Sequence, residues 1–179
     1  MFSIQKIICP IDFSEHSYDA LKIAVEMARQ FSSEVILLHV ITPIPSCTAA
    51  AVSEAGAAPQ FDLTECLRQE EAARKDSGTG RAAAFDPVEY LAAAAKQSLD
   101  KILSESVPGT VQSRSVILRG QPAESIVEFI AQEKASMVVI STHGRTGLRH
   151  FIFGSVAEKV IRLAACPVLS IRPKQEKGE

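Results

Sequence analysis

The sequence predicts an α/β fold, a three-layer sandwich in which a five-stranded parallel sheet lies between helices. Short apolar stretches rich in β-branched residues alternate along the chain with longer stretches whose apolar residues recur at helical spacing. Two of the short stretches, Glu34–Ile41 and Met137–Ile140, are apolar at nearly every position, as is typical of parallel strands covered on both faces. Helices on both faces require the strand order to reverse, and such sheets bind ligands at the reversal, beyond the carboxyl ends of the strands.

The amino-terminal part predicts a strand, a helix and a second strand. Residues 4–9 are the first strand, which ends at Pro10-Ile11-Asp12. Ser14 can cap the helix that follows, and the buried face of this helix is predicted as Ala20, Leu21, Ala24, Val25 and Ala28. The second strand, Glu34–Ile41, contains His39, which is predicted to be a satisfied core or strand-end residue. A strand, helix and strand over this length imply a parallel pair joined by a right-handed crossover.

Residues 43–85 interrupt the alternation, because small-residue stretches without sustained periodicity flank a short charged segment. We interpret this region as a flexible insertion, with a lid over a binding site as the alternative. Residues 1–173 are predicted to form a single domain that carries the insertion, and residues 174–179 are a charged tail.

Regular structure returns at Asp86-Pro87-Val88-Glu89, which matches a helix start with aspartate at the cap and proline at the first position. The predicted buried stripe of this helix is Leu91, Ala95, Leu99, Ile102 and Leu103. The third strand, residues 111–118, has mixed faces and is therefore predicted at a sheet edge. Pro122 begins the next helix by the same proline rule, and its predicted sheet-facing residues are Ile126, Val127, Ile130 and Ala131.

The carboxyl-terminal part predicts a strand, a glycine-containing loop, a helix and a last strand. The fourth strand, Met137–Ile140, stops where Ser141 and Thr142 follow. Ser155 and Glu158 are spaced as a capping box, so Ser155 is predicted to cap the last helix. The predicted inner face of this helix is Val156, Val160 and Ile161, and Pro167 starts the fifth strand.

The loop before the last helix has the features of an anion site. Glycines at 144, 147 and 154 let a ligand approach the main chain, and Arg145 and Arg149 add positive charge. The alternative is a mobile strand-to-helix loop with an ordinary cap. His143 and His150 also lie here, but no third ligand is paired with them, so solvent-facing side chains are favoured over a metal site.

Several segments resemble the universal stress protein family. They are KIICPIDFSEHS, LLHVI, RGQPAESI, CPVLSIRP and the glycine-containing loop, and together they cover nearly the whole chain outside residues 43–85. Nucleotide-binding members of that family carry G-x-x-G-x9-G-(S/T) at the loop. The matching positions here are Ser141, Gly144, Gly154 and Ser155, with serine in place of the first glycine.

The resemblance implies the strand order 3-2-1-4-5, which places Asp12 and the loop from Ser141 to Ser155 in one crevice. It also implies ATP as the ligand, with Mg or Mn bound through the phosphates. The implied contacts to adenine and ribose are Pro10, Ile11, Asp12 and Val40, with Ile140 and Ser141 beside the sugar. The implied contacts to the phosphates are Thr142, Gly144, Gly154, Ser155, Val156 and Ala157.

Two roles within this implied site stay open. Asp12 can instead accept hydrogen bonds from N–H groups of the turn that follows it, as aspartate does at helix caps. Ser141 adds a Cβ and a hydroxyl where the family glycine lets the ligand lie close, and this either weakens binding, shifts the sugar or has no effect. The motif supplies no general base, so hydrolysis of ATP is expected to be slow at most.

The implied function is an ATP-binding regulatory stress protein that passes its nucleotide state to a downstream protein. One rival is a nucleotide-free stress dimer that acts only through protein partners. Another is an enzyme for adenylation or small-molecule hydrolysis, for which only Asp12 and His143 qualify by position. The fifth strand, Val168–Ile171, would leave a bare apolar edge, so a homodimer paired through this strand is expected, as the resemblance also implies.

Composition argues against several other classes of protein. A net charge of −2 gives no support to nucleic-acid binding. The four cysteines are scattered without a C-x-x-C pair, which favours reduced thiols of an intracellular protein over a metal site or a disulfide framework. No apolar segment of signal-peptide length precedes Asp12, and no run approaches the roughly 20 residues needed to cross a bilayer. A cytoplasmic protein without membrane insertion is expected.

Overall fold

The three-dimensional structure is a computed structural model, and it describes residues 3–42, 87–142 and 154–172. The predicted insertion at 43–85 and the charged tail at 174–179 lie outside the described residues, as does the helix cap predicted at Asp86. The same holds for the loop residues His143, Gly144, Arg145, Gly147, Arg149 and His150. Expectations about these residues stay predictions.

Strands and helices alternate through the described residues, as predicted. In chain order they are β1 (Lys6–Pro10), α1 (Glu15–Phe31), β2 (Glu34–Ile41), α2 (Pro87–Ser106), β3 (Ser113–Arg119), α3 (Pro122–Glu133), β4 (Met137–Ser141), α4 (Ser155–Leu163) and β5 (Val168–Ile171). All strands pair in parallel, in the order β3-β2-β1-β4-β5. The predicted fold class and strand order are confirmed. Among the described residues, no helix combines the length and the apolar character needed to cross a membrane.

Two apolar clusters lie on opposite faces of the sheet and define the outer layers. On one face, α1 and α2 pack against strand residues that include Ile7, Leu37 and Val139. On the other face, α3 and α4 pack against a second set that includes Ile8 and Val138. Because successive strand residues point to opposite faces, β1 and β4 contribute neighbouring residues to both clusters. We call these the α1/α2 face and the α3/α4 face.

The predicted inner faces of α1 and α2 are confirmed, whereas those of α3 and α4 need two corrections. In α3, Ala131 is exposed and Phe129 is buried instead. In α4, Ile161 is 40% exposed, and Ala157 is buried together with Val160. Each misassigned residue follows directly after a buried one, and one residue turns a helix by about 100°. That rotation carries the side chain from the core to the surface.

The amino-terminal edge of the sheet is joined by ion pairs. Glu133, the last residue of α3, accepts from Lys6 Nζ of β1 at 2.7 Å and from Arg114 Nη2 of β3 at 2.8 Å. Arg114 Nε also donates to Glu34 Oε1 of β2, at 2.8 Å. The hydrogen bond from Lys6, together with the contacts of Arg114, lowers the pKa of Glu133. The network therefore connects three strands and one helix at the edge opposite the carboxyl ends of the strands.

A second local constraint lies at the carboxyl end of β3, where Gly120 has φ +150°. This backbone conformation is rare for residues with a side chain. A Cβ built there would lie 2.5 Å from Ser125 Oγ. The Gly120 N–H donates to the Ile41 carbonyl at 3.0 Å, so the turn into α3 is held against the end of β2. The dihedral angle favours glycine, and a Cβ would also require the Ser125 hydroxyl to move.

We expect Gly120→Ala to lower the free energy of unfolding by about 1–3 kcal/mol, because alanine must adopt a strained φ and displace Ser125. Gly109→Ala is the matched control, since a Cβ there has nothing within 4 Å, and its effect should stay within about 0.5 kcal/mol. The double variant Gly120→Ala/Ser125→Ala should recover only part of the lost free energy of unfolding, because the strained φ at position 120 persists. Urea unfolding measures all three, and equal stability of the two glycine variants would contradict this account.

The ion-pair network predicts a pH-dependent effect of Glu133→Gln. A carboxyl group whose pKa is lowered by folding stabilises the protein above its unfolded pKa of about 4.3, and this stabilisation disappears as the pH falls through the folded pKa. We therefore expect Glu133→Gln to lower the free energy of unfolding by about 1 kcal/mol near pH 7 and to converge with the parent protein as the pH falls below the folded pKa of Glu133. Glu128→Gln on the exposed side of α3 is the control. A pH-independent difference in urea unfolding would argue against the network.

Candidate functional site

The candidate site lies where the strand order reverses, between β1 and β4. These strands pair with Ile8 opposite Val138, and the register, continued by two residues, sets Pro10 level with Ile140. From this point α1 packs on one face of the sheet and α4 on the other. Because the two connections leave on opposite faces, the carboxyl ends of β1 and β4 border a crevice.

Gly154 brings the start of α4 against the end of β4. Its N–H donates to the Thr142 carbonyl at 2.7 Å, and its own carbonyl accepts from the Glu158 N–H at 3.0 Å. A Cβ at this position would lie 3.3 Å from the Thr142 carbonyl oxygen, so glycine permits the close approach. Thr142 and Gly154, the described residues on either side of residues 143–153, are therefore in direct contact.

The prediction that Ser155 caps α4 is wrong. Gly154 is the N-cap residue and Ser155 is the first residue of the helix, so the serine side chain is one position too late to act as the cap. Within the described residues, no side chain caps this helix end. By contrast, the Ser14 hydroxyl caps α1 as predicted, accepting from the Ser17 N–H at 3.2 Å. Among the described residues, the first-turn amides of α4 therefore have no side-chain acceptor, and a helix start of this kind can bind an anion.

Asp12 contacts the turn that follows it, which confirms the alternative given above. Its Oδ1 accepts from the Ser14 N–H at 3.0 Å and from the Ser14 hydroxyl at 2.6 Å. The residue is only half-buried. Burial, and secondarily the negative charge of Asp12, raise the pKa of Tyr18.

The residue between Asp12 and Ser14 has an unusual backbone. Phe13 has φ 63°, in the left-handed region, and its side chain is only 5% exposed. Its ring packs on His39 of β2 with the ring centroids 4.6 Å apart. His39 is 3% exposed, and its Nδ1 lies 2.7 Å from the Ile11 carbonyl oxygen. The predicted core position of His39 is confirmed, its Nδ1 has a hydrogen-bond partner, and the histidine contacts both neighbours of Asp12.

The apolar residues predicted for the site separate onto the two faces of the sheet. One group shares the apolar cluster of the α3/α4 face, and its members are Val40, Ile140, Val156 and Ala157. Ile11 belongs to the cluster of the α1/α2 face. Its N–H donates to the Leu38 carbonyl at 2.8 Å, and its carbonyl is the partner of His39. Pro10 is half-buried at the end of β1.

The end of β4 is fastened to β5. Thr142 is fully buried, and both its N–H, at 2.9 Å, and its hydroxyl, at 3.2 Å, contact the Ile171 carbonyl. Ser141 is half-buried directly before it, opposite Ile171 in the ladder. The Thr142 side chain therefore supports the strand end. Gly144, the remaining motif position, lies outside the described residues.

The sequence prediction missed four residues around Asp12. Ser14 was predicted as a cap but not as the partner of Asp12, although aspartate two residues before serine is a usual signal for a side-chain turn. Phe13, Tyr18 and His39 carry no such signal. The left-handed φ of Phe13 and the pairing of β1 with β2 bring these residues close to Asp12. Neither of these two structural features can be recognised from the residue types.

The side chains in the described ranges do not form a metal site of their own: no three His, Cys, Asp or Glu residues come together there. The cysteines in these ranges, Cys9 and Cys166, are free thiols. Burial raises the pKa of Cys9 to about 12 and also raises that of Cys166. Both are therefore protonated near neutral pH, whereas nucleophilic chemistry requires the deprotonated thiolate.

Comparison with known proteins places this arrangement in a family. The sequence model of the universal stress protein family matches residues 3–172. Universal stress protein MJ0531 of Methanocaldococcus jannaschii is 31% identical over 173 residues, which cover 96% of this chain and 85% of that protein. The solved structure of MJ0577 from the same organism superposes with a TM-score of 0.63 at 25% identity, covering 96% of this chain and 98% of the other.

A third comparison supports the fold alone. A universal stress protein family protein of Arabidopsis thaliana, solved with AMP bound, superposes with a TM-score of 0.56 at 16% identity and covers 98% of this chain and 95% of the other. The family match spans the described elements from the start of β1 to the end of β5. Together with the 31% identity to MJ0531, it settles the family predicted from the sequence. The chain belongs to the universal stress protein family.

Proposed function

We propose that the chain binds ATP in the crevice between β1 and β4 and acts as a nucleotide-responsive regulator of a downstream protein. The observation that carries the proposal is the start of α4, where glycine occupies the cap position and no described side chain takes up the first-turn amides. A helix start of this kind attracts phosphate through its N–H groups and its dipole. The AMP bound to the Arabidopsis relative makes an adenine nucleotide the natural candidate.

Some residues around the crevice would contact the phosphates, and others would contact the nucleoside. The amides of Ser155, Val156 and Ala157 would take the phosphates, and Val40 and Ile140 would offer apolar contact to the adenine. Asp12 would accept from a ribose hydroxyl. A bound Mg or Mn ion would offset the phosphate charge, as the glycine motif of the family implies.

Several donors must act together for useful affinity. A helix dipole contributes about 0.3–1 kcal/mol to binding an anion, whereas micromolar affinity needs about −8 kcal/mol. Hydrogen bonds to charged groups contribute about 1.5–3 kcal/mol each. Two or three amide bonds, the apolar contacts of adenine and one bond from Asp12 reach that range. Gly154 keeps the amides beside the strand end by its bond to Thr142.

Ser155→Pro tests the amide contacts directly. Proline suits the first position of a helix, and Gly154 before it has φ −68° and ψ 150°, which a following proline tolerates. The substitution therefore removes one N–H while keeping the helix. We expect it to weaken ATP binding about tenfold in isothermal titration, and to leave adenosine binding unchanged because adenosine has no phosphate.

Ser155→Ala is the matched control for that titration, since it removes the hydroxyl and keeps the amide, and its affinity should stay within about threefold of the parent. Thermal melting establishes that each variant is folded. No heat of binding and no thermal protection by millimolar Mg-ATP in the parent protein would reject the proposal. That outcome would favour the nucleotide-free regulator.

We further propose that the protein is a homodimer paired through β5. β5 pairs with β4 on one side, and among the described strands none lies on its other side. Leu169, at 36% exposure, and the exposed Ile161 and Leu163 of α4 give this edge an apolar character. An uncovered apolar edge strand is prone to pair with another chain.

A proline on this edge tests the dimer. The Pro167 and Ile171 carbonyls accept from β4, so Ser170 between them directs its backbone groups outward. We expect Ser170→Pro to remove the outward N–H and convert a dimer to a monomer in sedimentation at micromolar concentration, while Ser170→Ala remains dimeric. A parent protein that sediments as a stable monomer would contradict the proposal.

A further inference from the structure

His39 occupies an unusual position in the core. It lies within the otherwise apolar strand β2, on the α1/α2 face, and is 3% exposed. Its Nδ1 is 2.7 Å from the Ile11 carbonyl oxygen. A carbonyl oxygen can only accept, so Nδ1 carries the proton and donates it. The imidazole thus fixes the main chain of Ile11, which lies between the end of β1 and Asp12.

The same ring also contacts the residue directly after Asp12. The Phe13 ring lies over His39 at 4.6 Å between centroids, with the planes tilted by 51°. Phe13 has φ 63°, a conformation that a bulky residue keeps only when its surroundings hold it there. Besides His39, the buried cluster of α1 and α2 surrounds the Phe13 side chain. His39 is therefore one of the groups that hold the left-handed residue in place.

Asp12 is thereby fixed from three directions. His39 contacts its neighbours on both sides, and Ser14 binds its Oδ1 with an N–H and a hydroxyl. A binding carboxylate needs such supporting contacts, because a small misplacement of a polar group loses much of its binding energy. We propose that His39 is a positioning residue that orients the Asp12 carboxylate toward the nucleoside. This inference rests on the proposed nucleotide site.

Two substitutions test separately the N–H donor and the volume of the His39 side chain. His39→Asn places an N–H donor as many bonds from Cα as Nδ1 is, whereas His39→Leu has a similar volume and no donor. We expect His39→Leu to weaken ATP binding about tenfold in isothermal titration and His39→Asn to stay within about threefold of the parent. Equal losses in both variants, or no loss in His39→Leu, would overturn the proposal.

A double-mutant cycle with Asp12→Ala distinguishes positioning from general support of the fold. If His39 acts through Asp12, His39→Leu should cause no further loss of affinity in the Asp12→Ala background. A loss of the same size in both backgrounds would show that His39 acts elsewhere and would overturn the inference. Thermal melting of each variant confirms that the proteins compared are folded.

A measurement without nucleotide keeps this inference separate from the proposed function. The Ser14 amide donates to Asp12 Oδ1, so its hydrogen exchange reports whether the carboxylate is in place. We expect His39→Leu to speed exchange at Ser14 about tenfold, while His39→Asn leaves it near the parent rate. Unchanged exchange in His39→Leu would overturn the positioning role. If the parent protein binds no ATP but His39→Leu still speeds exchange at Ser14 as expected, only the nucleotide site is rejected.

Discussion

The pairing of β1 with β4 is the constraint on which the rest of the structure depends. Ile7, Ile8, Val138 and Val139 are all fully buried, and they supply both apolar clusters from the centre of the sheet. A one-residue slip of either strand would send these side chains to the wrong face. The register is therefore fixed by burial, and it determines which residues meet at the carboxyl ends. The position of the crevice is therefore a consequence of how the core packs.

The described polar groups at that crevice fall into two sets. Some form hydrogen bonds that hold the fold together, and the others remain available to a ligand. The start of α1 is closed by Ser14, which serves as helix cap and as donor to Asp12. Thr142 is committed to β5 through both its N–H and its hydroxyl. The start of α4 differs, because glycine holds its position through the main chain alone. Within the described residues, a side chain caps the start of α1 and none caps the start of α4.

Periodicity and caps made most of the fold predictable from the sequence. The stripe on α1 and the proline at the start of α3 depend on residues close in sequence, and both are confirmed. The errors at Ala131 and Ile161 arose because each adjoins a truly buried residue, and an apolar pair does not reveal which member faces the sheet. The capping box failed at Ser155 because a serine at the first helical position gives nearly the same pattern. The bond from Gly154 to Thr142 decides the boundary, and it joins two ends of a loop.

The candidate site was proposed in outline from the sequence, since the resemblance pointed to the reversal in strand order and to Asp12. Its inner construction was not, because His39 reaches Ile11 only through the pairing of β1 with β2. The short bond that fastens Gly154 to Thr142 has one further implication. A segment tied together at its base can change length cheaply, since doubling a loop costs only about 0.6 kcal/mol in closure entropy. The length of the chain between Thr142 and Gly154 can therefore change while these two residues keep their contact.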